Sequence, residues 1–201
     1  MIGVPERLLV ATHNEGKREE IEALLASLGI TVESAAARGL AVPEETGTTF
    51  AENACLKARA AVEATGDAAL ADDSGLSVEA LGGAPGVYTA DWAETPQGRD
   101  FDRAMSRVHD ELIHARAPEP WRAAFICTLA LVLPGDQSAI FEGRIDGQIV
   151  WPKRGTKGHG YDPIFQPDGY DQTFAEMDRW EKNRISHRGR AFAKLLRFLE
   201  G

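Results

Sequence analysis

The sequence predicts an α/β fold in which a mixed, twisted sheet is flanked by helices. Short apolar runs typical of strands alternate with segments of helical periodicity, which indicates strand–helix–strand units. One pair of strand patterns is separated only by the turn residues 134–136, which predicts an antiparallel hairpin within the same sheet. A length of 201 residues suits a single domain, and we assign residues 1–201 to it.

The first half of the chain opens with a buried strand at residues 7–11 and a polar turn at residues 12–17. A helix follows, with apolar residues at the i, i+3, i+4, i+7 spacing of one face, and Gly29 ends it. An extended segment at residues 31–32 leads into a loop at residues 35–48.

A second helix is predicted from about residue 50 to Thr65, because Thr49 and Glu52 have the spacing of a capping box. A long loop is predicted at residues 75–97, followed by a helix at residues 97–114 and a hairpin at residues 121–145. A short strand at residues 163–165 and a final helix at residues 186–199, with Ser186 as its N-cap, complete the prediction.

Two adjacent carboxylates, Asp72 and Asp73, close the apolar run that begins at Ala68. The sequence Ser74-Gly75 predicts a turn directly after them, which would place them at a sheet edge where α/β proteins bind ligands. Neighbouring side chains of a strand point to opposite faces, and the turn favours Asp73 as the one that faces a site. An ordinary strand end is the alternative at this stage.

Composition limits the classes of partner. Hydrophobic residues make up 43% and charged residues 26%, as in soluble globular proteins, and no apolar run approaches the roughly 20 residues that span a bilayer. A net charge of −9 argues against a nucleic-acid polymer as partner. Two cysteines exclude a disulfide scaffold, and no signal peptide is evident, so we expect a cytoplasmic protein with no membrane partner.

Four segments carry groups suited to a phosphorylated ligand. The turn 12–17 precedes a helix N-terminus, which favours an anion. The loop before the second helix contains the acidic pair Glu44-Glu45, which together with Asp72 and Asp73 could supply the carboxylates of a Mg²⁺ site. The segment 158–163 places glycines around aromatic side chains, and residues 182–190 are basic. Each alone has an ordinary explanation as a turn, a surface loop or a solvated helix start.

Taken in order, these motifs resemble the non-standard purine nucleoside triphosphate pyrophosphatases, the inosine/xanthosine triphosphate pyrophosphatase family. The resemblance runs from about Leu8 to the C-terminal helix. The matching motifs are Thr12-x-Asn14-x-x-Lys17, Glu45-Thr46-Gly47-x-x-Phe50-x-Glu52-Asn53-Ala54-x-x-Lys57-Ala58, Asp72-Asp73-Ser74-Gly75-Leu76, Leu81-Gly82-Gly83-Ala84-Pro85-Gly86, Gly160-Tyr161-Asp162-Pro163-Ile164-Phe165 and Ile185-Ser186-His187-Arg188-Gly189.

The resemblance implies an elongated, two-lobed structure with a central cleft, a homodimer, and hydrolysis of ITP, dITP and XTP to the monophosphate and pyrophosphate with Mg²⁺. It implies that Asp73 is the general base and, with Glu45, a metal ligand. The substrate-binding residues it implies are Thr12, His13, Asn14, Glu15, Gly16, Lys17, Ser74, His159, Gly160, Tyr161, Asp162, Lys182, His187 and Arg188.

One position departs from the family pattern, because His159 stands where the family usually has Phe. An imidazole offers less stacking area and a titratable nitrogen. Two other functions stay open at this stage: a Maf-like nucleotide pyrophosphatase and a non-catalytic nucleotide-binding module.

Overall fold

The structure is a computed structural model that describes residues 5–12 and 15–201 of the chain. Within those residues the helices are α1 to α5, at Glu15–Leu25, Phe50–Thr65, Phe101–His114, Arg179–Ile185 and His187–Glu200. The strands are β1 to β8, at Arg7–Val10, Thr31–Ser34, Ala69–Val78, Glu94–Thr95, Gly98–Arg99, Trp121–Val132, Ser138–Ile149 and Phe165–Pro167.

Six of the strands form one sheet in the order β2-β1-β3-β6-β7-β8, and β4 pairs with β5 separately. β1 is parallel to both neighbours, with Leu9 opposite Ala69 of β3, whereas β7 and β8 are antiparallel, with Ile149 opposite Phe165. β6 and β7 are neighbours joined only by residues 133–137, a connection short enough only for an antiparallel hairpin. The predicted mixed sheet with helices is confirmed.

The chain divides into two compact units. The first comprises the chain up to Asp73 together with Thr128–Glu142 and Ala191–Gly201. Its core packs strand residues such as Leu9 and Val132 against a row of small side chains on α2, namely Ala54, Ala58 and Ala61. Alanine at these helical intervals lets α2 lie close to the sheet, which fixes the position of the other residues on the helix.

The second unit comprises Ser74–Cys127 and Gly143–Arg190. Its core is aromatic: Phe125 packs edge-on against Phe165, with ring centroids 4.7 Å apart, and stacks on Phe174 at 5.9 Å. The predicted single domain with two lobes and a central cleft stays a prediction.

The predicted turn after Asp73 is wrong, because β3 continues through Ser74 and Gly75 to Val78. The apolar residues that follow explain the difference: Leu76 and Val78 are fully buried, and their burial outweighs the turn preference of Ser-Gly. β3 lies inside the sheet, between β1 and β6, and its pairing with β1 ends at Leu70, so Asp73 lies beyond the carboxyl end of β1, as predicted.

Other boundaries also differ from the predictions. The short strand predicted at residues 163–165 is found at Phe165–Pro167, as β8, after a 3₁₀ turn at Asp162–Ile164. α3 begins at Phe101 rather than near residue 97, because Asp100 is its N-cap and its carboxylate accepts the Arg103 N–H at 3.0 Å. β7 runs on to Ile149, beyond the predicted residue 145. The helix α4 precedes the predicted final helix; Ser186 ends α4, and its hydroxyl accepts the Gly189 N–H at 3.1 Å, which confirms the N-cap of α5.

Candidate active site

Asp73 is the most deeply buried carboxylate of the first unit that the structure describes. It lies on β3 and is 9% exposed, whereas Asp72, on the opposite face of the strand, is half-buried. One of its oxygens, Oδ2, is buried and accepts no hydrogen bond from any described residue. A buried carboxylate with an open oxygen is costly to maintain unless a cation or a proton occupies it in the working protein.

Lys57 of α2 connects Asp73 to Glu45. Its ammonium Nζ lies 2.8 Å from Glu45 Oε1 and 3.5 Å from Asp73 Oδ1. The Lys57 side chain is 12% exposed and that of Glu45 is 38% exposed, so the pair opens to solvent on the Glu45 side. Two carboxylates from separate segments, a loop and a strand, therefore converge on one positive charge.

The loop that carries Glu45 is fastened to the first turn of α2. The Glu52 carboxylate accepts N–H bonds from Thr48 at 2.7 Å and Thr49 at 3.0 Å, and the Thr49 hydroxyl accepts the Glu52 N–H, which confirms the predicted capping box. One residue further along, the Asn53 side-chain oxygen accepts the Gly47 N–H at 2.8 Å.

These contacts set the protonation of the site. Burial raises the pKa of Asp73 to about 6, against the lowering effects of Lys57 and of hydrogen bonding from the Asn53 side chain; the neighbouring Glu45 adds to the rise. For Lys57, burial lowers the pKa, but the carboxylates of Asp73 and Glu45 outweigh it and the net pKa is raised. Lys57 is therefore fully charged near neutral pH, and the site holds more carboxylate than its one cation neutralises.

The open oxygen of Asp73 and its neighbour Glu45 fit a Mg²⁺ ion. Mg²⁺ is bound by one or two carboxylates while water and substrate phosphates fill its other positions. Across residues 5–12 and 15–201, no group of three or more His, Cys, Asp or Glu is placed to hold a metal ion. Two carboxylates would leave the other positions of such an ion to water or to an anionic ligand.

A second buried carboxylate, Asp162, lies in the second unit. Its Oδ2 atom accepts the His159 N–H at 2.8 Å and forms a salt bridge with the Lys182 ammonium. The Asp162 side chain is 5% exposed and that of Lys182 is 14% exposed. Gly158 makes this possible, since a Cβ there would lie 2.1 Å from Asp162 Oδ2 and its φ is +75°. Asp162 thus orients a lysine ammonium whose other N–H groups stay available for a ligand.

The aromatic residues near Asp162 have different roles. Tyr161 is 1% exposed, and its hydroxyl donates to the Thr89 carbonyl at 3.0 Å, so its ring belongs to the core of the second unit. His187, at the start of α5, stacks on Phe125 with ring centroids 4.9 Å apart. His159 is exposed on its loop. Their substrate contacts stay predictions.

The remaining predicted site residues are placed as follows. Thr12 follows β1 and is 7% exposed, and α1 begins at Glu15 and includes Gly16 and Lys17. His13 and Asn14 lie outside the described residues. In the second unit, Ser74 and Arg188 are half-buried, on β3 and α5, and Gly160 is half-buried in its loop.

Two groups of predicted residues are brought together, one in each unit: Glu45 with Asp73, and His159 with Asp162 and Lys182. Asn53 and Lys57 stand in one of the motifs that carry the family resemblance, but the sequence analysis assigned neither a role in the site. Their spacing of four places them on one face of α2, and this shared face was the available signal.

The fold and the site together define an α/β protein in which a buried strand carboxylate and a partly exposed loop carboxylate lie on either side of one lysine. The chain belongs to the Ham1 family, whose model matches residues 8–198.

Relatives and solved structures agree over nearly the whole chain. A dITP/XTP pyrophosphatase of Ruegeria pomeroyi is 57% identical over 192 residues, which cover 96% of this chain and 94% of that protein. A HAM1 protein structure from Coxiella burnetii has a TM-score of 0.92 at 38% identity and covers 96% of this chain and 98% of its own. The structure of a nucleoside-triphosphatase, a dITP/XTP pyrophosphatase, from Mycobacterium abscessus has a TM-score of 0.80 at 40% identity, with coverage of 94% and 98%.

Proposed function

We propose that this chain hydrolyses non-standard purine nucleoside triphosphates, dITP/ITP and XTP, to the monophosphate and pyrophosphate, with Mg²⁺ as cofactor. The observation that carries the proposal is the convergence of Glu45 and Asp73 on Lys57 in a member of the Ham1 family. The names of the relatives from Ruegeria pomeroyi and Mycobacterium abscessus support the substrate class.

In the first unit, the chain's own residues would bind phosphate and activate water. Asp73 and Glu45 would hold the metal, which supplies charge neutralisation for the leaving pyrophosphate when bound. Asp73 would also accept the proton of the water that attacks the α-phosphorus. The Lys57 ammonium would bind a phosphate oxygen while it keeps one of its carboxylate contacts. Lys17 and the backbone N–H groups at the start of α1 would bind the other phosphate oxygens.

In the second unit, the Asp162–Lys182 pair supports discrimination between bases. Lys182 and Arg188 are donors without acceptors, so they match the 6-keto oxygen of hypoxanthine and xanthine and oppose the 6-amino group of adenine. A donor left without a partner costs about 1–3 kcal/mol, which corresponds to roughly 5- to 150-fold in kcat/KM. We therefore expect ATP to be a poor substrate compared with ITP. The guanine base also has a 6-keto group, and its exclusion would need a contact at the 2-position.

We further propose a homodimer in the cytoplasm, with no nucleic-acid polymer and no membrane as partner. In the described part of the chain no helix has the length and apolar character to cross a bilayer. The net charge of −9 disfavours a polyanion.

The test is a panel of ITP, dITP, XTP, GTP and ATP assayed with Mg²⁺ and with EDTA, in which pyrophosphate and phosphate release are measured separately. We expect Mg²⁺-dependent pyrophosphate release from ITP and XTP, loss of turnover with retained nucleotide binding in Asp73→Asn, and turnover in the matched control Asp72→Asn. Nucleotide binding without turnover by the unmodified protein would identify a non-catalytic module instead. Preference for standard or pyrimidine nucleotides would identify a Maf-like activity.

A further inference from the structure

Asn53 is a buried polar residue that the proposed chemistry does not use. It lies in the first turn of α2, is 2% exposed, and belongs to the same helix face as Lys57. Buried amides are retained where their hydrogen bonds are satisfied, and the same helix contacts both segments that carry the site carboxylates.

The first segment is the loop that bears Glu45. The Asn53 oxygen accepts the Gly47 N–H at 2.8 Å, two residues from Glu45. The approach is close: a Cβ on Gly47 would lie 2.6 Å from the same Asn53 oxygen and 2.7 Å from Glu52 Cβ. Glycine at this position therefore lets the loop backbone lie directly against the helix start.

The second segment is β3, which carries Asp73. Lys57, on the same face of α2 as Asn53, links the two segments, because its ammonium lies 2.8 Å from Glu45 Oε1 and 3.5 Å from Asp73 Oδ1. Ala54 and Ala58 of the same helix pack into the core of the first unit, which fixes α2 against the sheet. The position of the Glu45 loop on α2 therefore decides how Glu45 lies relative to Lys57 and Asp73.

We propose that Asn53 is a positioning residue that holds the Glu45 loop against α2, so that Glu45 stays beside Lys57 and Asp73 where both carboxylates can bind a metal ion. This inference rests on the proposed function for the identity of the ligand. Groups that orient metal ligands contribute typically 10- to 100-fold to metal affinity.

The test uses the nucleotide-free protein and Mn²⁺ as a spectroscopic substitute for Mg²⁺, with binding followed by electron paramagnetic resonance. Asn53→Leu removes the hydrogen bond to Gly47 at similar volume, and Gly47→Ala keeps Asn53 but introduces the Cβ that collides with its oxygen. Both variants should bind Mn²⁺ about 10- to 100-fold more weakly. Because both variants break the contact between Gly47 and Asn53, the loss in the double variant should be smaller than the sum of the two single losses.

Thr128→Val is the matched control, because it also replaces a buried polar group of the first unit, one whose hydroxyl has no hydrogen-bond partner among the described residues. It should bind Mn²⁺ like the unmodified protein. Hydrogen exchange at the Gly47 amide gives a second readout: the amide should be protected in the unmodified protein and in Thr128→Val, and should exchange faster in Asn53→Leu.

In turnover assays, Asn53→Leu should lower kcat and raise the Mg²⁺ concentration for half-maximal rate, with little change in the KM for nucleotide. The proposal is overturned if Asn53→Leu and Gly47→Ala bind Mn²⁺ like the unmodified protein, if Thr128→Val weakens binding equally, or if the unmodified protein binds no Mn²⁺. A protein that binds Mn²⁺ as expected but releases no pyrophosphate from any nucleotide would overturn the proposed function and leave the role of Asn53 supported.

Discussion

Replacing Asp73 by Asn should stabilise the metal-free protein at neutral pH. Burial raises the pKa of Asp73 to about 6 from its usual 3.8, so folding works against the ionised form. Asn mimics the neutral acid and removes that cost. An active-site carboxylate held ready for a cation destabilises the fold when the cation is absent.

The magnitude follows from the two pKa values. The unfolded chain ionises Asp73 above pH 3.8 and the folded chain only above about pH 6, so the unmodified protein loses stability as the pH rises through this window. The gain of Asp73→Asn should reach up to about 3 kcal/mol at pH 7.5 and fall to about 1 kcal/mol at pH 4.5. For a chain of this size, 3 kcal/mol corresponds to about 6–12 °C in Tm.

The assay is urea denaturation in EDTA at both pH values, with the unmodified protein and Asp72→Asn alongside. Asp72→Asn retains Asp73 but removes a negative charge that contributes, as the smallest cause, to its raised pKa, so this variant should keep most of the loss between pH 4.5 and pH 7.5. The reasoning is refuted if Asp73→Asn is less stable than the unmodified protein at pH 7.5, or if its advantage does not shrink at pH 4.5.

Three further predictions concern the residues around the two carboxylates. Lys57→Met removes the cation that favours ionised Asp73, so the pKa of Asp73 should rise further and the loss of stability, which still begins near pH 3.8, should extend to higher pH in the same denaturation series. Asp162→Leu breaks a buried ion pair and should cost about 3–5 kcal/mol of unfolding free energy, measured by urea denaturation; a loss below 1 kcal/mol would contradict a buried pair. Gly158→Ala should lower Tm more than Gly169→Ala. Both positions have a left-handed backbone, with φ of +75° and +83°, but only the new Cβ at Gly158 would collide with Asp162. Equal losses in Tm would show that the backbone conformation alone matters.

The sequence predicted the elements whose signals are local. The capping box at Thr49 and Glu52, the hairpin turn at residues 134–136 and the N-cap at Ser186 each rest on residues within four positions of one another. The side chains that form these structures are neighbours in the chain, so a short window of sequence contains the whole interaction.

The extent of β3 is not a local property. Ser74 and Gly75 favour a turn, yet the strand continues because Leu76 and Val78 lie in the core of the second unit, and that core is built from residues distant in sequence. A strand in the middle of a sheet also forms backbone hydrogen bonds to neighbouring strands on both sides, whereas the backbone groups of an exposed turn can bond to water. The turn prediction failed because it weighed residue preference without the burial that competes with it.

The same reasoning explains why Asp73 was found and Lys57 was missed. A carboxylate at the end of an apolar run is unusual in any sequence, so Asp73 can be recognised without a structure. A lysine on a helix is ordinary, and it becomes notable only when folding buries it between carboxylates from a loop and a strand, Glu45 being 12 and Asp73 16 positions away along the chain. What distinguishes Lys57 from other helical lysines is therefore its environment, which is created by the close packing of the alanine face of α2 against the sheet. A substitution that lifts α2 from the sheet, such as Ala58→Leu, should consequently impair metal binding as well as stability, although Ala58 is neither a metal ligand nor near one in sequence.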